Sequence, residues 1–127
     1  MNSALSIYLN ARNSGEATLY VAYTHPDAVA YYTSQGDSAF QARFSLSKID
    51  EQPYLQDANL LDIESSGKEI HVRYSVLSIR TWDLRNPSQE VFLMAISKNN
   101  GKSWFFMDEE DYLNDAIYKV KQRLFKS

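Results

Sequence analysis

A chain of 127 residues with 44% apolar and 23% charged residues is sized for one soluble domain. With no cysteine, disulfides, thiolate catalysis and cysteine-based zinc sites are excluded, and two histidines leave little for a histidine metal centre. A net charge of −3 gives no general attraction to nucleic acid or to an anionic membrane.

In chain order, Ala4, Leu5, Tyr8, Leu9 and Arg12 recur at helical spacing and predict a first helix over residues 3–12. Asn13-Ser14-Gly15-Glu16 interrupts it with the form of a capping box. A second short helix over 16–23 places Leu19, Tyr20 and Tyr23 on one side, and His25-Pro26 closes it, with His25 read as its cap. Ala28 to Thr33, β-branched and aromatic, reads as a short strand. Gly36-Asp37 turns the chain, and a second capping-box pattern, Ser38 to Gln41, starts a helix to about Lys48 with Phe40, Phe44 and Ile49 on one face.

From Tyr54 the texture changes to strands. YLQDANLLDIES is one, and Ser65-Ser66-Gly67-Lys68 is a turn. KEIHVRYSVLSIRT then alternates, with Ile70, Val72, Tyr74 and Val76 on one face and His71, Arg73 and Ser75 on the other. Leu77 and Ile79 break that pattern, which asks for two covered faces or a bulge. WDLRNPSQ is a loop, and EVFLMAIS and SWFFMD are strands joined by KNNGK. Leu113, Ile117, Val120 and Leu124 predict a closing amphipathic helix over 111–125, with an acidic start and a basic end. Helices gathered apart from an antiparallel meander make an α+β domain.

SKNNGKSWFF resembles the Asp-box turn of sialidase-type propellers, with Asn99 in the Asp position. Asn and Gly accept left-handed backbone, and the serines can bond the turn, so it reads as a turn, with Trp104 packed beneath.

YLNARNSGEATLYVAYTHPDAVAYY resembles the opening of NTF2-like domains, the cystatin-like superfamily. The likeness rests on the Gly15-Glu16 step between two helices, on His25-Pro26 before a short strand, and on the hairpins that follow. It implies a cone in which a bent sheet enfolds the N-terminal helices around a cavity, with the closing helix as an addition. Relatives use that cavity for small ligands or for catalysis, or leave it filled and bind proteins. The resulting expectation is a non-catalytic module that takes a small apolar ligand or a protein, with self-association as a homodimer through the open face of its sheet. The alternative is an isomerase-, dehydratase- or cyclase-type enzyme on an apolar ligand.

For that enzyme, Asp62 in the apolar stretch LLDIES and His71 are the candidate bases, with Tyr31, Tyr32 or Tyr74 as hydroxyl partner. Tyr31, Tyr32, Tyr74, Phe92 and Trp104 are the candidate pocket lining. Trp82 and Leu84, apolar at a loop tip, are the candidate interface. No metal, no cofactor, no nucleic acid and no membrane are expected. No secretory leader is visible, so the cytoplasm is the default compartment, with export open should Met1 replace a removed leader.

Overall fold

The computed structural model describes residues 2–44 and 53–125. Four helices, α1 (Asn2–Ser14), α2 (Ala17–Tyr23), α3 (Pro26–Ser34) and α4 (Asp37–Phe44), precede four strands, β1 (Tyr54–Ser66), β2 (Glu69–Ile79), β3 (Ser88–Ser97) and β4 (Phe105–Asp108). A single helical turn, α5 (Glu109–Tyr112), and a 3-10 turn over Val120–Gln122 follow. The strands form one antiparallel sheet in the order β1-β2-β3-β4, an α+β architecture.

Register assigns the faces. Val72, Tyr74 and Val76 lie opposite Ala95, Leu93 and Val91, and Ala95 and Leu93 in turn lie opposite Phe106 and Asp108. On this face Leu5, Tyr8 and Ala11 of α1, Tyr20 of α2 and Phe44 of α4 complete the main core. The Tyr8 ring stacks on Phe106 at 4.9 Å between centroids. The other face carries Met94, Ile96 and Met107, covered by Ala28, Tyr112, Ile117 and Tyr118. The face left open in the sequence reading is thus occupied, over this part of the sheet, by α3 and the chain's own final segment.

The helices end where backbone chemistry says they should. Gly15, at φ 78°, reverses the chain after α1, and the Glu16 amide bonds back to the Ala11 carbonyl at 3.0 Å. The expected capping box does not form. Asn13 instead exchanges two 2.9 Å hydrogen bonds with the backbone of Leu55, donating from Nδ2 and accepting at Oδ1.

Residues 28–33 are helix, not strand. Pro26 occupies the first turn, where its missing N–H costs nothing, and His25 Nδ1 accepts from the Asp27 amide at 3.1 Å. His25 therefore caps the start of α3 rather than the end of α2. The spacing Ala28, Tyr31, Tyr32 turns one face onto the second core cluster. Burial at helical spacing overrides the β propensity of the stretch. Thr24 meets Phe106 in an isolated parallel bridge, so the chain touches the outer edge of β4 just before α3.

The closing helix also differs. Helix stops at Tyr112, because Asn114 Oδ1 accepts from the Ala116 amide at 2.9 Å and offers the backbone a competing turn. Arg123 then ties the segment together, donating to the Tyr112 carbonyl at 3.0 Å and pairing with Asp115 at 2.6 Å. Of the expected stripe only Ile117 is buried, while Leu113 and Val120 face solvent. The helix expected to reach Lys48 is described to Phe44, and Ile49 lies outside the described residues.

β2 pairs with β3 without a break from Ile70–Ser97 to Ile79–Ser88. Leu77 and Ile79 are half-buried, so both faces are partly covered there. The irregularities fall in β1 instead, between Gln56 and Asn59 and between Leu60 and Asp62. No described helix is long and apolar enough to cross a membrane.

Candidate functional site

Between α1 and the sheet lies a cleft of about 310 Å³. Its walls are Leu55, Val76, Val91, Phe92 and Leu93, and its charged end is Arg12 with Asp108, Glu109 and Glu110. The position follows from strand lengths: β4 pairs with β3 only as far as Leu93–Asp108, so the first half of β3 is left beside a gap.

Asp108 ends β4 on the core face and gathers two arginines. Arg12 Nη1 reaches its Oδ1 at 2.8 Å and Arg43 Nη2 its Oδ2 at 2.9 Å. Arg43 also reaches Asp111 Oδ2 at 3.3 Å, and Tyr32 donates to Asp111 Oδ1 at 2.9 Å. Arg12 donates to Tyr8 Oη at 3.2 Å, and Arg43 to Tyr20 Oη. The guanidinium of Arg12 lies 5.2 Å from the Tyr20 ring centre, and that of Arg43 5.3 Å from the Tyr32 ring.

Burial alone would raise the Asp108 carboxyl, but Arg12 and Arg43 outweigh it and hold the group below its ordinary range. Burial and the Asp111 bond push the Tyr32 hydroxyl up to about 12. The cluster is therefore a set of saturated charges, with no free acid or base among Arg12, Arg43 and Asp108 near neutral pH.

A second cleft, of about 490 Å³, opens on the other face between Leu61, Met94, Leu113 and Phe125, with Asp62, Arg73, Glu109 and Tyr112 among its polar groups. Arg73 pairs with Glu109, through Nε and through Nη2 at 3.3 Å, and lies 4.2 Å from the Phe92 ring centre.

The sequence-predicted residues scatter over these features. Asp62 is exposed at the second cleft, its Oδ1 accepting from the Ile63 amide at 2.9 Å, so the desolvation suggested by LLDIES is absent. The reason is register: Asp62 shares the side of Arg73 on an edge strand. His71 is fully buried and lines neither cleft. Its Nδ1 meets Tyr112 Oη at 2.7 Å and its Nε2 meets Glu69 Oε1 at 3.0 Å. Burial lowers its pKa, against the pull of Glu69.

Of the candidate lining, Phe92 borders the first cleft. Tyr74 and Trp104 belong to the main core, and Tyr31 and Tyr32 pack against the second core cluster. Trp82 and Leu84 do stand in solvent, Leu84 with 91% of its surface exposed. Their loop is ordered by Asp83, whose Oδ1 accepts from the amides of Arg85 at 3.2 Å and Asn86 at 3.1 Å.

SKNNGKSWFF is a hydrogen-bonded turn. Ser97 Oγ accepts from the Gly101 amide at 2.8 Å, and Asn99 Oδ1 accepts from the Ser103 amide at 2.9 Å. Trp104 Nε1 closes it on the Gly101 carbonyl at 3.1 Å. Asn100 and Gly101 carry the positive φ angles of 60° and 85°.

Sequence reasoning missed Arg12, Arg43 and Asp108 as a unit. One signal was present: in FFMD, alternation puts Asp108 on the same side as the core residue Phe106. An acid on a core face calls for a buried cation. No grouping of His, Asp and Glu suited to a metal occurs among the described residues. Comparison with protein-family models, with curated proteins and with solved structures returns no match.

Proposed function

We propose that this chain is a non-catalytic binding module of NTF2-like type, which takes a small, mostly apolar ligand in the cleft between α1 and the sheet. One observation carries the reading. The cleft joins an apolar wall of ligand-binding size to a charged end where Arg12, Asp108 and Glu109 are already held in ion pairs. Asp108 is saturated by two arginines, and Glu109 is held by Arg73. Such groups orient a ligand; they do not exchange protons with it near neutral pH. The packing of α1, α2 and α4 on one sheet face and the Thr24 contact at β4 support the cone as its frame.

The enzyme reading draws on the second cleft, which Asp62 and Tyr112 both line. Its weakness is chemical. The Tyr112 hydroxyl meets His71 and accepts from the amides of Leu124 at 3.0 Å and Phe125 at 3.1 Å. It is fully used.

The test is a thermal-shift and amide-NMR screen of the full chain against small apolar acids, alcohols and amines. A ligand of the first cleft raises Tm and moves the amides of Leu55, Val76 and Leu93. Val91→Trp, which fills the cleft, abolishes both effects. Equal shifts in the variant, or no response across all three classes, refute the reading. Turnover that Asp62→Asn removes favours the enzyme.

A further inference from the structure

We propose that the outer edge of β1, from Asn59 to Ser66, receives an extended basic segment of a partner protein as a fifth strand. β1 is the first strand of the sheet, so its far side carries backbone donors and acceptors with no neighbouring strand among the described residues. The edge is closed at its start and open beyond. At Leu55 the Asn13 side chain takes both backbone groups, as a neighbouring strand would. Asp57, at φ 55°, and the irregularity that follows then separate this closed end from the rest.

In the open part, both faces present apolar side chains to water. Leu60 and Ile63, 48% and 51% exposed, lie opposite Tyr74 and Val72 on the helix side. Leu61, 46% exposed, stands at the second cleft on the other side. Isolated apolar residues on a surface mean little, but here Leu60 and Ile63 on one side and Leu61 on the other leave the edge apolar on both faces.

Charge selects the occupant. Between residues 54 and 67 the chain holds Asp57, Asp62 and Glu64 and no lysine or arginine. Among the described residues Glu64 makes no ion pair, and Asp62 feels only the field of Arg73, whose hydrogen bonds go to Glu109. A second copy of this chain would set these acids against their own kind, and like charges opposed across a strand pair disfavour self-pairing. A strand alternating apolar and basic residues meets both requirements. Its apolar side chains cover Leu60 and Ile63, and its lysines or arginines face Asp62 and Glu64 on the opposite side. This surface is separate from the first cleft, and its occupancy does not depend on a ligand there.

The probe is a capped nine-residue peptide of alternating lysine and valine, titrated into the full chain and followed by fluorescence anisotropy and by amide hydrogen exchange. Expected are binding that weakens with salt and slowed exchange confined to residues 59–66 and their neighbours in β2. Asp62→Lys/Glu64→Lys lowers affinity by roughly tenfold or more, and Asp62→Asn/Glu64→Gln by less. All four substitutions lie on exposed side chains, and unchanged circular dichroism of the second pair verifies the fold. A peptide of the same composition arranged in blocks, and one N-methylated at alternate residues, lose binding because neither can complete the strand. The proposal is overturned by equal affinity of the N-methylated peptide, by insensitivity to charge reversal, or by no binding at all. Light scattering that shows a dimer with protection of 59–66 overturns it too, since a second copy then holds the edge.

Discussion

Replacing Asp108 by asparagine is the sharpest probe of the main core. The substitution keeps the volume and removes the charge that two guanidiniums share. Arg43 retains Asp111 Oδ2 at 3.3 Å, whereas Arg12 keeps only the Tyr8 hydroxyl at 3.2 Å. An asparagine oxygen satisfies one arginine, while its NH2 group meets the other donor to donor. Removing one partner from a fully buried ion pair costs about 3–5 kcal/mol. The three side chains are 17% to 26% exposed rather than fully enclosed, which lowers the expectation to about 2–3 kcal/mol. For a chain of this size that is a fall in Tm of roughly 8–12 °C. Urea unfolding followed by Trp104 fluorescence measures it, with Arg12→Met alone and combined with Asp108→Asn completing a double-mutant cycle. The combined variant should lose less than the sum of the two, because it no longer strands a cation among aromatic rings. A pH series adds a second readout. The folded carboxyl sits below its ordinary value near 3.8, so its stabilisation is present above about pH 4 and fades as pH falls further. Asp108→Asn erases that part of the acid limb. A variant within about 0.5 kcal/mol of the parent, with an unchanged acid limb, would refute the view that these charges are coupled and sheltered from water.

Three further outcomes follow from the same coordinates. His25 is buried with its pKa lowered to about 4, and His71 is lowered as well, so both are neutral in the fold while the unfolded chain takes up protons from about pH 6.5. Stability should therefore fall as pH drops from about 6.5 toward 4, and histidine NMR titrations should show both rings protonating late. Tyr112→Phe strips the hydroxyl that meets His71 and two backbone amides; a loss of about 1–3 kcal/mol and faster exchange at Leu124 and Phe125 are expected by urea titration and hydrogen exchange. Gly101→Ala places a Cβ at ordinary contact distance, 3.7 Å from Trp104, so its cost of about 1–2 kcal/mol comes from φ +85° and not from crowding, and Gly101→Asn should lose less.

What could be read from the residues follows their physical range. β2 was legible because Ile70, Val72, Tyr74 and Val76 alternate with His71, Arg73 and Ser75, and the turn at Asn99 because its side chains bond within five positions. α3 was misread because its strongest local signal, Pro26, serves two purposes. A proline both bars the preceding residue from helix and starts the next helix well, and only the spacing of Ala28, Tyr31 and Tyr32 chooses between them. The closing segment failed for the opposite reason. Its heptad-like stripe is real in sequence, but Asn114 bonds two residues ahead into a competing turn, and Arg123 fixes the segment by bonds that reach back eight and eleven residues. Phe92 and Asp62 border the clefts, Asp62 without the burial expected of it, while nothing local in the chain links Arg12 to Asp108, 96 positions away.

The end of β4 explains why both clefts share a wall. Asp108 and Glu109 are consecutive, so the alternation of an extended chain sends them to opposite sides of the sheet. Asp108 binds Arg12 and Arg43 among the helices, and Glu109 binds Arg73 on the other face. Two adjacent carboxylates thus tie α1 and α4 to β4, and β4 to β2, at the place where the sheet narrows. Glu109 borders the first cleft and the second. The Arg73–Glu109 pair therefore stands between the two clefts and forms part of the wall they share.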